Sequence, residues 1–546
     1  MRITQTACLT VLTATAWGGA LAQLPRFPQG GMIADYSANL REAIPRADGI
    51  RHTDTHGLIE KLQELHATTF FYLLESTHAE WDDFRNEFVP AAQQAGIDVW
   101  AYLVPPSECC AQPFGTDYIR WATELATLST RYPNVKGFAI DDFQWNLDFF
   151  TPEFTGRMVQ AAKAVNPSLL FFPQVYWKRS TDASFLDAYT PWIDGLIMAY
   201  RDDPYTNTYR SDSFSQQIAQ SEEMLAARHK ALVLMVYCHP LGRNPLPPPA
   251  DYISKLVGAG MRDMQAGKLY GVVTYVLDKG DQPAPPSLNQ SHSGSGRATF
   301  LIAGPLPDVG KSGEISRAIS VDPAARGYAL SFWHTEFFTR APVGFYSQQV
   351  LLDDQVVWEQ DIAQGPPRQW RKERVNVAHA LAGKKTASLR FRVVSKQPVQ
   401  NLELSVGFDD IEAEGFRVED PGFENQTGWA TRSDTPAILP LIYTFDPQLP
   451  IEAFRAVRDL YGPYALVQSA YQSCASSRME KKAAAILRTW QAANYPQAAH
   501  LADSLAKAAG GRGCERLAGQ ARRVAEDLGK SHRMNLGGQA GNPKQP

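Results

Sequence analysis

The amino-acid sequence predicts an α/β chain built on a (β/α)8 (TIM) barrel, followed by an antiparallel, jelly-roll-like β-sandwich and a small C-terminal helical region. Three observations carry this reading. Eight short apolar runs alternate with amphipathic stretches over the first half, a Pro-rich then Ser/Gly-rich break lies near residue 290, and the hydrophobic period changes beyond it. At 546 residues the chain has room for roughly two to four domains of ordinary size.

The eight runs are Met32–Tyr36, Thr69–Leu74, Ile97–Val104, Val135–Ile140, Leu169–Trp177, Gly195–Tyr200, Ala231–Tyr237 and Tyr270–Leu277. Their pace is that of successive βα units. Between them, His56–His66, Phe84–Ala95, Tyr118–Leu128, Glu153–Val165, Ser213–Ala227 and Asp251–Gln265 place apolar residues at three- and four-residue spacing. Continuously apolar strands are those covered on both faces, as in a barrel ringed by helices. The rival, an open doubly wound sheet, would want a Gly-rich phosphate loop after the first strand, and none is present.

The barrel is assigned to 23–281 and a linker to 282–297, from Pro283-Ala284-Pro285-Pro286 and the polar Asn289 to Gly296 stretch. Alternating segments such as Tyr328–Trp333, Gln348–Leu352, Val356–Trp358 and Ser388–Val393 then predict a sandwich over 298–432, with its last strand near Phe416. Periodic Ala- and Arg-rich stretches predict a helical domain over 450–529, and 530–546 reads as a polar, flexible tail.

Composition narrows the function classes. Lys+Arg 53 against Asp+Glu 57 leaves a net charge of −4, which argues against a nucleic-acid partner. Hydrophobic residues at 44% argue against general disorder. The start, Met1-Arg2-Ile3, an apolar run from Ala7 to Trp17 and Ala20-Leu21-Ala22, has the form of an export signal at 1–22, too short for a membrane span. A secreted or periplasmic protein is expected, and disulfides are then allowed. Cys474 with Cys514 is the expected pair, whereas Cys109 and Cys110 could bridge each other or one of them could take Cys238. No His/Cys/carboxylate cluster has metal-ligand spacing, so neither metal nor cofactor is expected.

In a (β/α)8 barrel the active site lies at the C-terminal ends of the strands. The residues there are Asp35 and Tyr36, Glu75, Tyr102 with Glu108, Asp141 and Asp142 with Trp145, then Gln174, Tyr176 and Trp177, Tyr200 with Arg201 and Asp202, Tyr237 with His239, and Tyr275. Carboxylates and aromatics thus gather on one rim. Glycosidic cleavage needs one carboxyl to protonate the leaving oxygen and a second group to activate water, attack, or stabilise an oxocarbenium-like centre, while aromatic faces stack on sugars. Asp142 is taken as the proton donor or principal carboxylate with Asp141 as its electrostatic partner, because crowding two carboxyls raises one pKa. Which of the two plays which part is left open. Glu75, Glu108, Asp202 and Asp35 are the alternatives for the second carboxylate, and the aromatic and polar rim residues are the expected sugar contacts.

Several strings resemble known families. Gly137-Phe138-Ala139-Ile140-Asp141-Asp142-Phe143 resembles the fourth-strand motif of glycosidase-like barrels, where an acidic pair closes an apolar strand. Pro173-Gln174-Val175-Tyr176-Trp177 is similar to a Pro-Gln-x-Tyr-Trp string in barrels related to poly-N-acetylglucosamine hydrolases, and Met198-Ala199-Tyr200 resembles the sixth-strand segment of family 18 chitinases. The latter resemblance implies that Tyr200 helps hold a substrate N-acetyl group. The chain departs from the chitinase pattern at Asn146, where a terminal acid would stand, and at Arg201, where those enzymes place Asp. Val406–Glu414 and Asp420–Trp429 resemble the closing and opening strands of galactose-binding-like jelly-roll modules, which implies a carbohydrate-binding sandwich. The function expected is a secreted glycoside hydrolase acting on a poly- or oligosaccharide. The rivals are a non-catalytic carbohydrate-binding or cell-surface scaffold protein and a barrel-type polysaccharide lyase.

Overall fold

The computed structural model describes residues 24–539, except 76, 242–245, 426 and 475. The expected export signal at 1–22, and the expected tail from 540 onward, lie outside the described residues.

Eight parallel strands fall on the eight apolar runs: Met32–Tyr36, Thr69–Leu74, Asp98–Leu103, Val135–Ile140, a split fifth strand of Leu170–Phe171 and Gln174–Val175, Gly195–Tyr200, Ala231–Tyr237 and Gly271–Tyr275. Neighbours pair in parallel, and the first strand pairs with the eighth. The fifth strand is split at Pro173, which has no N–H to give to a ladder. Its first half pairs with the fourth strand and its second with the sixth, while the Ile197 N–H donates to the Pro173 carbonyl at 3.1 Å. The split strand therefore closes the barrel.

Side chains alternate along a strand, so each strand gives one row to the barrel interior and one to the helix layer. The interior holds Ala34, Phe71, Trp100, Ala139, Phe172, Ile197, Val233 and Val273 among others. Gly137 makes room for the Trp100 ring, since a Cβ there would lie 2.5 Å from it. The other row, including Ile33, Phe70, Phe138, Leu196 and Val272, packs beneath the helices.

Strand eight is not followed directly by an α-helix. The chain leaves through the 282–295 stretch, builds the sandwich, and returns as helix Leu449–Cys474. That helix packs against Ala250–Gln265, the helix after strand seven. The Tyr461 hydroxyl donates to the Ala34 carbonyl of strand one at 2.8 Å, and Gln468 Nε2 donates to Gly31 O at 2.9 Å. Val457, Tyr461 and Leu466 share one buried core with the barrel helices. Leu449–Cys474 therefore stands where the eighth barrel helix belongs. This corrects the reading of a separate helical domain, because helix periodicity says nothing about which core a helix completes.

The remaining helices, Ser477–Gln491, Tyr495–Gly510 and Glu515–Gln539, stack on this one. Cys474 is bridged to Cys514 as expected. Cys109 is bridged to Cys110, which leaves Cys238 free. The last helix runs to Gln539, so the expected flexible tail is helical up to that point.

The sandwich has a five-stranded sheet ordered 371–376, 329–337, 404–414, 296–302 and 438–444, facing a second sheet ordered 355–361, 346–352, 386–395, 312–321 and 416–417. Phe300, Phe332, Val350, Phe391 and Phe408 fill the space between them. Strand Ile438–Thr444 pairs along the whole of Gly296–Ile302, so the sandwich continues past the expected limit of 432. The expected linker is also pinned rather than free. Asp409 accepts the His292 N–H, Asp410 accepts the Ser293 hydroxyl, and Glu424 accepts the Ser295 hydroxyl.

The sandwich rests on the barrel. Leu246, Leu301 and Tyr443 form a buried cluster across the junction, and Arg210 Nη1 donates to the Pro436 carbonyl at 2.7 Å. Gly304, at φ +85°, brings the sandwich chain so close that a Cβ there would lie 2.4 Å from the Pro204 carbonyl oxygen. A chain shortened to end at residue 447 keeps all eight barrel strands and the whole sandwich but loses the eighth helix. It is expected to show no cooperative thermal unfolding and to expose apolar surface to dye binding; a normal unfolding transition would contradict the shared core.

Candidate active site

The fourth strand sets the centre. Gly137 and Ala139 occupy the interior row, so Asp141 continues that row at the strand's C-terminal end. Asp142 would face outward in a continued strand, yet its backbone turns left-handed at φ 39°, ψ 35°. That turn brings its carboxyl to the Tyr176 hydroxyl and the Arg201 charge, inside the mouth. Two adjacent carboxyls thus reach one site. The Asp142 N–H is held by Asp141 Oδ1 and by Gln174 Oε1, each at 3.0 Å.

A belt of tyrosines surrounds the pair. The Tyr102 hydroxyl donates to Asp141 Oδ1 at 2.9 Å, and the Tyr102 ring lies 4.3 Å from Tyr36. Tyr36 stacks on Tyr275 at 5.1 Å, Tyr275 meets Tyr237 at 4.6 Å, and the Tyr237 and Tyr176 hydroxyls are 3.4 Å apart. The Arg201 guanidinium caps the Tyr176 ring at 3.5 Å from its centre. The belt therefore begins on one carboxyl and ends on the other.

Burial raises the phenols of Tyr36, Tyr102, Tyr176 and Tyr237 well above their ordinary range, so they remain neutral donors. Burial first, then the Asp142 and Glu108 charges, push the Asp141 carboxyl up to about 8, against hydrogen bonds from Tyr102 and the Asp142 amide. Burial raises Asp142 too, but the Tyr176 hydroxyl and Arg201 oppose it. The neighbours therefore differ in kind. Asp141 has no cation beside it and its rise is reinforced by neighbouring charge, whereas the rise of Asp142 is opposed by Arg201.

Glu75 and Glu108 are exposed on the lip. Partial loss of solvent around its carboxyl raises Glu108, and the Asp142 and Glu75 charges add to it. The Trp145 side chain stands at the rim, 59% exposed.

Other rim residues sit elsewhere. Asp35 lies in the outward row and pairs with buried Lys279, 2.7 Å away, under the helix layer. Tyr200 also points outward, onto Phe214, with its hydroxyl on Arg210 O and Ser213. The N-acetyl role implied by resemblance thus has no geometric basis at Tyr200. Asp202 accepts from Asn207 and Ser213 and orders its own loop. Trp177 packs on the outer core and donates to Gln220 at 3.1 Å. His239 is exposed, with its Nδ1 3.4 Å from the neighbouring Pro240 carbonyl oxygen.

Two residues missed in the sequence support the site. Gln144, buried in the turn after strand four, accepts the Tyr176 N–H at 2.8 Å and fixes the end of the split strand. Asp203 holds Arg201 Nε at 3.0 Å. The i, i+2 spacing of Arg201 and Asp203 was visible, but nothing in it told ion pair from loop.

No protein-family model and no curated protein sequence matches this chain. Among solved structures it is similar to a glucosidase from Croceicoccus marinus, at 10% identity and a TM-score of 0.36, over 67% of this chain and 96% of that one. A calcium-binding mutant of Bacteroides uniformis β-glucuronidase 2 matches at 8% identity and a TM-score of 0.38, over 70% of this chain and 65% of that one. An α-L-arabinofuranosidase from Thermotoga maritima matches at 10% identity and a TM-score of 0.33, over 67% and 97%. Similarity at this level adds nothing to the strand pairing above, and the site stands on its own residues.

The raised Asp141 carboxyl has a stability consequence. Its folded pKa of about 8 lies above the unfolded 3.8, so the protonated form is the one folding favours. Its contribution is present in acid and is lost as pH climbs through about 8. Asp141→Asn removes that titration. Its Tm is expected to rise above the parent's as pH increases from the ordinary carboxylate range to about 8. An equal offset at every pH would contradict the assignment.

Proposed function

We propose that the protein is an exported glycoside hydrolase, with the mouth of the barrel as its active site. The observation that carries this is the asymmetry of the Asp141–Asp142 pair inside a belt of neutral tyrosines: Asp141, bonded to Tyr102, is pushed up to about 8 with no cation beside it, and Asp142 has the Tyr176 hydroxyl and Arg201 to oppose its rise. Asp141 has the proton a leaving glycosidic oxygen needs. Asp142 supplies the negative charge that stabilises an oxocarbenium-like centre or activates water. The tyrosine hydroxyls donate to sugar oxygens and the ring faces stack on the sugar. Arg201, tied to Asp203, opposes the rise that burial causes in Asp142 and so favours its charged form.

Glu108 and Glu75 stand on the lip, and the Glu108 charge adds to the rise of Asp141. They remain the sources of a second carboxylate on the far side of the sugar. The Cys474–Cys514 bridge suits an oxidising compartment.

The test is kinetic. Asp141→Asn and Asp142→Asn are each expected to lower kcat by about 100- to 10,000-fold on a glycan the parent cleaves, the range for losing an acid–base group. The parent's kcat/KM is expected to fall above pH about 8, where Asp141 gives up its proton. Full activity in both variants, or ultraviolet-absorbing unsaturated products of elimination, would overturn the proposal.

A further inference from the structure

A cavity of about 390 Å³ opens at the junction of barrel and sandwich, next to the mouth, within the ~300–1,000 Å³ range of small-molecule sites. Tyr176 and Arg201, already part of the carboxylate site, form one end of it. Trp145 lines the barrel side with an indole that is 59% exposed, large for a tryptophan. The other wall belongs to the sandwich, through Gln400, Asn401 and Glu403.

The junction is built, not incidental. Gly304 and Pro305 also line the cavity, and Gly304 is the position where the sandwich chain comes so close to Pro204 that no side chain fits. The chain connectivity holds the two parts together, since the sandwich is inserted between barrel strand eight and the helix that completes the barrel.

The lining selects a class of ligand. Arg201 is paired with Asp203 at 3.0 Å and also feels Glu403, and Arg179 is paired with Asp182 at 2.7 Å. Lys178 is exposed on the same wall, and with Glu403 counted against it the three cations and three anions of the lining leave no net charge. Besides the Lys178 ammonium, what is offered to a ligand is an aromatic face and two exposed side-chain amides, each with donors and an acceptor. That suits the hydroxyl groups and apolar ring faces of an uncharged sugar.

Resting on the glycosidase reading, we infer that this cavity is a subsite for a neutral glycan. It binds the stretch of chain next to the bond being cleaved, with Trp145 stacking on a ring and Gln400 and Asn401 hydrogen-bonding its hydroxyls. The sandwich acts here as one wall of the substrate cleft and sets a preference for longer chains.

The test uses full-length protein carrying Asp142→Asn, titrated calorimetrically with cello-, manno- and chito-oligosaccharides from disaccharide to hexasaccharide and with an oligogalacturonate ladder. One neutral ladder is expected to bind more tightly as it lengthens. Adding Gln400→Ala and Asn401→Ala is expected to remove about tenfold of affinity from the longer members while sparing the disaccharide, the scale of two lost hydrogen bonds. Both positions are exposed, so an unchanged Tm is expected and reports intact folding. Length-dependent binding that survives both substitutions, tightest binding by the uronate ladder, or affinity independent of length overturns the subsite alone, leaving hydrolysis by the parent untouched. No binding by any ladder, together with no hydrolysis by the parent, overturns the glycosidase reading and the subsite with it.

Discussion

The site depends on the crowding of two neighbouring carboxyls at the end of one strand. Adjacent residues in a strand face opposite ways, and the left-handed backbone at Asp142 is what brings its carboxyl round to join that of Asp141. A non-glycine residue adopts that conformation at a cost, offset here by the hydrogen bonds that the Asp142 N–H donates to Asp141 Oδ1 and Gln174 Oε1. Gln174 stands on the second half of the fifth strand, on the far side of Pro173. The interruption that closes the barrel thus also helps form the turn that brings the two carboxyls together.

Around that pair the protein arranges asymmetry. Tyr102 alone of the belt donates to Asp141, while Asp142 has Tyr176 and the nearby Arg201. Burial penalises both charges, but only one is compensated by a cation. The tyrosine belt then serves twice, tying the carboxyls to the strands and lining the mouth with donors whose own protons are held fast. The outer row of each strand does unrelated work. Asp35 and Lys279 form a buried ion pair of the kind whose breaking costs about 3–5 kcal/mol, close to where Tyr461 anchors the eighth helix.

Much of this was legible in the sequence. The eight runs gave eight strands because parallel barrel strands are apolar on both faces. That same property hid the parity of each strand, so Asp35, Trp177 and Tyr200 were placed in the mouth although they face the helix layer. Interior residues at the same strand ends, Tyr36, Tyr102, Tyr176, Tyr237 and Tyr275, meet as a belt. Parity would have been readable from Gly137 and Ala139, the small residues that make room inside, but only with the Trp100 contact known. The return of the chain as the eighth helix was out of reach, because it depends on contacts such as Tyr461 to Ala34, 427 residues apart in sequence.

The central claim is the protonation of Asp141 at neutral pH, and a carbon-13 NMR titration of the aspartate side-chain carboxyls reads it directly. One aspartate carboxyl is expected to titrate near 8 and to be absent from Asp141→Asn, with a second, lower titration displaced in that variant because the two carboxyls interact. A spectrum in which every aspartate titrates in the ordinary range around 4, unchanged by Asp141→Asn near neutrality, would contradict the account.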